Sequence, residues 1–358
     1  MDFNPGMNRR RFIQQASFVS LSLYSNPLST LFKNGAMGIV VHSYATRWND
    51  KLENKNIPAF KNAIDLLEHC SKIGAGGIQT LTKGWTAEFV KKLRARKDQL
   101  GMYIEGSIAI PSGTDDVARF ENELKLAKEA GITILRTVCS SGRRYETYHS
   151  LEEFKMAKIK AISNLQLAEP VLRKHKIKLA IENHKDWLSG EHIEIIKKLG
   201  SEYIGITLDF GNSIALIEDP MVVVNTLAPY AFTTHVKDMA VDEYRDGFLL
   251  SEIPLGQGML NLAEMMEVCK KHNPLIRFNL EMITRDPLEI PCLKDAYWVS
   301  FDQASAITLA HGLKMVKEHR YKAGLPRVSH LNDEEKMVVE EKNILDCLQY
   351  SITNLGLK

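Results

Sequence analysis

The feature that most constrains this chain is an alternation: eight short apolar runs, each followed by a stretch of a different periodicity. The runs are Gly38–Tyr44, Gly77–Thr80, Met102–Ile110, Ile134–Ser140, Lys178–His184, Ile204–Asn212, Phe232–Asp238 and Arg277–Ile283. Runs that are apolar along their whole length read as strands buried on both faces, as in a parallel sheet. Helical patterns separate them. Ile64, Leu67, Cys70 and Ile73 share one helix face in Asn62–Ile73, and Gly74 stops it. A second helix starts near Thr86, and Asp115 or Asp116 caps a third that holds Phe120, Leu124 and Ala127 and ends at Gly131. A long helix covers Leu151–His175, and Phe301–Tyr321 gives the last one. Strict β/α alternation with no fixed-length repeat predicts a closed (β/α)8 barrel, the TIM-barrel architecture. An open doubly wound sheet is the alternative, but the first βα turn lacks the G-x-G-x-x-G signature that would favour it.

The 358 residues exceed a minimal barrel, so the chain divides into three expected parts. Residues 1–36 form a signal segment, 37–325 the barrel and 326–358 a helical extension. Asn8-Arg9-Arg10-Arg11-Phe12-Ile13-Gln14, followed by the mildly apolar Ala16–Phe32, resembles a twin-arginine export signal. It points to the bacterial periplasm, with the cytoplasm as the alternative. In the extension, Asn332 caps a helix whose apolar face carries Val338, Ile344, Leu345 and Leu348, packed on the barrel or on a second subunit of a homo-oligomer. The segment Thr284–Ser300, with Arg285, Tyr297 and Trp298, is a long loop over the barrel mouth, a lid or an aromatic rim.

Several functions are excluded early. No run of about 20 apolar residues is available for a permanent membrane span. A net charge of +2 gives no basic track for nucleic acid. Cys70, Cys139, Cys269, Cys292 and Cys347 are odd in number and scattered, which argues against a disulfide scaffold or a zinc ribbon.

The chemistry lies in four polar residues at the ends of successive strands: Glu182, Asp209, His235 and Glu281. A carboxylate in an apolar strand is costly to bury unless paired or bound to metal. Four such groups at carboxyl ends converge on the barrel mouth, where barrel enzymes place their sites. Three carboxylates and an imidazole form a hard ligand set for one divalent ion, Mn2+ first, with Mg2+, Co2+ or Zn2+ also suited.

The segments A-I-E182-N-H, L-D209-F-G-N, T-H235-V-K-D, P-L-G256-Q-G258-M and L-E281-M resemble the xylose isomerase-like sugar isomerase and epimerase superfamily, from about Gly38 to about Arg320. The resemblance implies a metal held by Glu182, Asp209, His235 and Glu281, with Glu182 and Glu281 as catalytic acid and base. The chain departs from sugar epimerases at Asn212, where they often carry histidine, and at Val241, where they often carry arginine. It has His184 where xylose isomerases carry lysine. Candidate substrate-binding residues are His184, Asn212, Lys237, Asp238, His42 and Glu105; Lys237 and Asp238 alternatively pair with each other. Arg143 and Arg144 are an anion grip or a solvated loop pair.

The leading expectation is a metal-dependent isomerase or epimerase acting on a sugar or sugar acid through an enediolate. The alternative is a lyase with the same site: elimination from a 3-keto glycoside, dehydration of an inosose-like ring, or decarboxylation of a keto sugar acid. The carbohydrate is a small molecule, and export argues against phosphorylated substrates. An abasic-site endonuclease would need more ligands and a basic track, and a non-catalytic sugar-binding barrel would need no paired glutamates.

Overall fold

The computed structural model describes residues 35–48, 57–140, 142–303 and 305–358. The twin-arginine motif and the apolar run behind it lie outside the described residues. The first seven strands are β1 (Gly38–Val40), β2 (Gly77–Leu81), β3 (Tyr103–Ser107), β4 (Ile134–Thr137), β5 (Lys178–Glu182), β6 (Ile204–Asp209) and β7 (Ala231–Val236). After a hairpin of β8 (Asp238–Tyr244) and β9 (Gly247–Ile253), β10 (Phe278–Leu280) closes the barrel between β7 and β1. Every pairing around the ring is parallel. The expected (β/α)8 barrel is thus the fold.

The helices form where capping chemistry permits. Asn62 accepts from the Ile64 amide, Thr86 from Phe89 and Ser150 from Glu153. Asp116 is different: its carboxylate takes the Ser112 amide and the Arg119 guanidinium. A 3-10 turn, Thr114–Asp116, then leads straight into the helix Val117–Glu129 without a side-chain cap. The first run is also shorter as a strand than its apolar length suggests. After Val40 the chain bends into a 3-10 turn, Val41–Tyr44. Ser43 fixes that turn to the barrel by donating to the Leu280 carbonyl at 3.0 Å and accepting from the Met282 amide at 3.1 Å. His42 is thereby held at the mouth.

A second, three-stranded antiparallel sheet sits beyond β7, in the order β11 (Leu288–Ile290), β9, β8. It has its own core of Met239, Val241, Phe248, Leu250, Ile290, Tyr297 and Phe301. The segment expected as a lid or rim is therefore packed structure. It supplies β11 and the short helix Asp295–Trp298, whose Tyr297 stacks on Tyr145 and donates to the Ala215 carbonyl at 2.8 Å. The helix Ala306–Glu318 packs on this small sheet. The C-terminal helix Asp333–Asn354 sends Ile344, Cys347 and Leu348 into the main barrel core. Its Glu340 accepts from the Thr46 and Arg47 amides at 2.9 and 3.2 Å, securing the chain just after His42.

Candidate metal centre

Glu182 and Asp209 are the last residues of β5 and β6, His235 is next to last in β7, and Glu281 directly follows β10. All four side chains are buried, and one ligand atom from each lies within 4.8 Å of the others. His235 Nδ1 is 3.5 Å from Glu281, 3.7 Å from Glu182 and 3.8 Å from Asp209. His235 Nδ1 has no hydrogen-bond partner despite its burial, and Asp209 Oδ2 faces the Lys237 ammonium at 2.8 Å. Asp209 Oδ1, by contrast, accepts the Gly211 and Asn212 amides at 2.9 and 2.8 Å. One carboxylate oxygen is therefore spent on fixing the loop, and the other points at the cluster.

The imidazole is held in one tautomer by a chain of polar contacts inside the barrel. Gln79 donates Nε2 to the Glu105 carboxylate at 3.2 Å, so its Oε1 faces His235 Nε2 at 2.7 Å. An oxygen there requires the proton on Nε2, which turns Nδ1 toward the carboxylates. Glu105 also accepts from Thr233 and Asn279 at 2.8 and 3.1 Å. It lies inside the barrel, fully buried, and does not line the opposite wall of the mouth.

Cations surround the carboxylates. Arg136 donates Nε to Glu182 Oε2 at 2.5 Å, and Asn212 Nδ2 donates to Oε1 at 3.0 Å. Lys237 Nζ lies 2.8 Å from Asp209 and 2.5 Å from Glu281. Burial alone would raise both glutamates; Arg136 and His235 outweigh it at Glu182, and Lys237 and His235 at Glu281, so both are held well below the usual carboxylate range. Burial works against a charge on His235 too, but Glu281 and Glu182 lift it to about 10. The cluster thus favours a cation at the position of that proton.

The other expected residues fall into two groups. His42, Asn212 and Lys237 reach the cluster; His42 Nδ1 is 3.2 Å from Glu281 Oε1. His184 stands beside it, pushed down to about 3 by burial and hence neutral. Asp238 faces away. Its carboxylate accepts the amides of Met239, Gly256, Gly258 and Leu260, and so shapes the P-L-G-Q-G-M loop. A Cβ at Gly258 would sit 2.1 Å from Asp238 Oδ1, which is why that loop needs glycine. Lys237 and Asp238 do not pair with each other: neighbours on extended chain point to opposite sides. Arg144 is neither solvated nor at the site. It is buried between the Phe154 and Phe301 rings and bonded to Glu191. Sequence reasoning passed over Gln79, Arg136 and Lys185, although a polar residue in each apolar strand interior of β2 and β4 was a visible signal.

Comparison with known proteins agrees with this architecture. A 3-oxo-isoapionate decarboxylase of Pectobacterium atrosepticum is 25% identical over 232 residues, covering 63% of this chain and 78% of that protein. Among solved structures, a D-psicose 3-epimerase superposes with a TM-score of 0.58 at 15% identity, covering 90% of this chain and 99% of the epimerase. A Mycobacterium smegmatis xylose isomerase-like protein in complex with magnesium gives 0.53 at 16% identity, covering 79% and 100%. With residues 67–298 matching the family model, the chain belongs to the xylose isomerase-like TIM barrel family.

Proposed function

We propose that Glu182, Asp209, His235 and Glu281 hold one divalent ion, Mn2+ in first place with Mg2+, Co2+ or Zn2+ also suited, and that the enzyme decarboxylates a keto sugar acid. The unpartnered His235 Nδ1 and the convergence of four buried ligand atoms support the ligand set, and three oxygen donors with one nitrogen suit a hard ion. Such an ion, when bound, stabilises negative charge that develops on substrate oxygens.

The observation that carries the decarboxylase reading is the clamp on Glu182. Arg136 engages one carboxylate oxygen and Asn212 the other. A carboxylate held by donors on both oxygens is a fixed anion and a poor proton carrier. An epimerisation that uses both glutamates as acid and base needs each of them to take and return a proton. Decarboxylation of a 3-keto acid, whose carbonyl is one carbon removed from the carboxylate, needs no proton removed from carbon. The bond to the carboxylate breaks, its electron pair passes to the neighbouring carbonyl, CO2 leaves, and one proton returns to carbon. Glu281 is held in the same way, by Lys237 on Oε2 and His42 on Oε1, so His42, its side chain 39% exposed, is the route for that proton from solvent. The 3-oxo-isoapionate decarboxylase relative supports the same reaction class. Isomerisation or epimerisation is the second reading, favoured by the convergence of two glutamates on one site.

The test is to incubate Mn2+-loaded protein with keto sugar acids in D2O. Release of CO2 with one deuterium in the product is expected. Deuterium in a rearranged sugar that keeps all its carbons would replace this reading with the isomerase one.

Metal binding has its own check. Gln79→Met removes the acceptor that sets the His235 tautomer, and is expected to weaken Mn2+ binding about 10–100-fold in a competitive chelator titration. Unchanged affinity would mean that Gln79 does not orient the imidazole. The motif at Asn8–Gln14 supports export to the periplasm. Among the described residues no helix is long and apolar enough to cross a membrane.

A further inference from the structure

Lys185 follows Glu182 by three residues and is 3% exposed. Its ammonium donates to Asn212 Oδ1, and among the described residues no carboxylate lies within ion-pairing distance of it. Burial, then the nearby Lys237, draw it down to about 8. Each of the other buried cations here is matched: Lys237 by Asp209 and Glu281, Arg136 by Glu182, Arg144 by Glu191. A buried charge without a partner is costly, and an anionic ligand removes that cost.

A further donor lies on the segment packed against it. The Arg144 amide donates to the Lys185 carbonyl at 2.8 Å, which seats the turn carrying Tyr145 against Lys185. The buried Tyr145 hydroxyl has no hydrogen-bond partner, and its ring is fixed by stacking on Tyr297 with centroids 5.2 Å apart. The buried His184 Nδ1 likewise has no partner. An ammonium and a phenol are a donor pair for a carboxylate. Asn212 links this wall to the metal ligands, since its Oδ1 accepts from Lys185 while its Nδ2 donates to Glu182.

We infer that Lys185 and Tyr145 form the subsite that receives the carboxylate of the substrate. This rests on the keto sugar acid reading above and names the residues that would select for it.

The experiment is calorimetric titration of the full, Mn2+-loaded chain with D-erythronate and with its uncharged counterpart erythritol. Erythronate is expected to bind at least about tenfold more tightly, the range of a charge-assisted hydrogen bond. Lys185→Met and Tyr145→Phe should each reduce erythronate affinity while erythritol and Mn2+ affinities stay as in the parent. The retained Mn2+ affinity reports that each variant is folded. Equal binding of the two ligands would overturn the inference, as would undiminished erythronate affinity in both variants or a preference for erythritol 4-phosphate over erythronate. CO2 release from keto sugar acids is measured alongside. Charge selection through Lys185 without CO2 release sinks the decarboxylase reading and leaves the subsite; CO2 release without charge selection does the reverse.

Discussion

Arg136→Met is expected to destabilise the metal-free protein by about 3–5 kcal/mol, the cost of leaving a buried carboxylate without its countercharge. Glu182 is 1% exposed, and Arg136 is its principal partner. With the guanidinium gone, Glu182 keeps Asn212 Nδ2 at 3.0 Å and His235 Nδ1 at 3.7 Å. Methionine fills much of the side-chain volume, so the loss reports charge more than packing. A cation bound among the four ligands replaces the missing charge, and a ligand that binds only the native state adds stability by mass action. Urea unfolding in EDTA and in excess Mn2+ should therefore show a larger metal-induced gain in the variant than in the parent. A loss of under about 1 kcal/mol in EDTA, or an equal loss in both conditions, would show that Arg136 does not balance the site.

Asp209→Asn should remove metal binding and turnover together while sparing the fold. The Asp209 Oδ1 bonds to the Gly211 and Asn212 amides can be made equally by the asparagine carbonyl. The other oxygen becomes an NH2 group, which brings two donors to a position facing His235 Nδ1 and Lys237 Nζ. A ligand is lost and a repulsion to any cation is gained. Mn2+ affinity is expected to fall by more than the roughly hundredfold typical of losing a supporting residue, with CO2 release at background. Metal content after dialysis, measured beside the far-ultraviolet circular dichroism spectrum, checks both halves. A folded variant that keeps its metal would remove Asp209 from the ligand set.

The barrel was legible because six of its eight strands are apolar-rich runs of four or more residues, and all of these but β7 lead into helical segments. The cluster was legible because Glu182, Asp209, His235 and Glu281 interrupt those runs at their ends. What escaped was decided by partners distant in sequence. The β8–β9 hairpin carried a signal, Asp246-Gly247, of the kind that marks tight hairpins. It lay between two barrel strands, where a helix was expected. Glu105 looked equivalent to Glu182, a carboxylate in an apolar strand. Its place inside the barrel is fixed by Gln79, Thr233 and Asn279, 26 to 174 residues away. Asp238 sat beside the metal-centre residues in sequence, but strand alternation turned it to the glycine loop.

The central claim, one divalent ion held by four residues at the barrel mouth, is tested most directly by an anomalous difference map from crystals soaked in Mn2+. The account predicts one strong peak per chain, surrounded by Glu182, Asp209, His235 Nδ1 and Glu281. A peak elsewhere, or none at this cluster at saturating Mn2+, would contradict it.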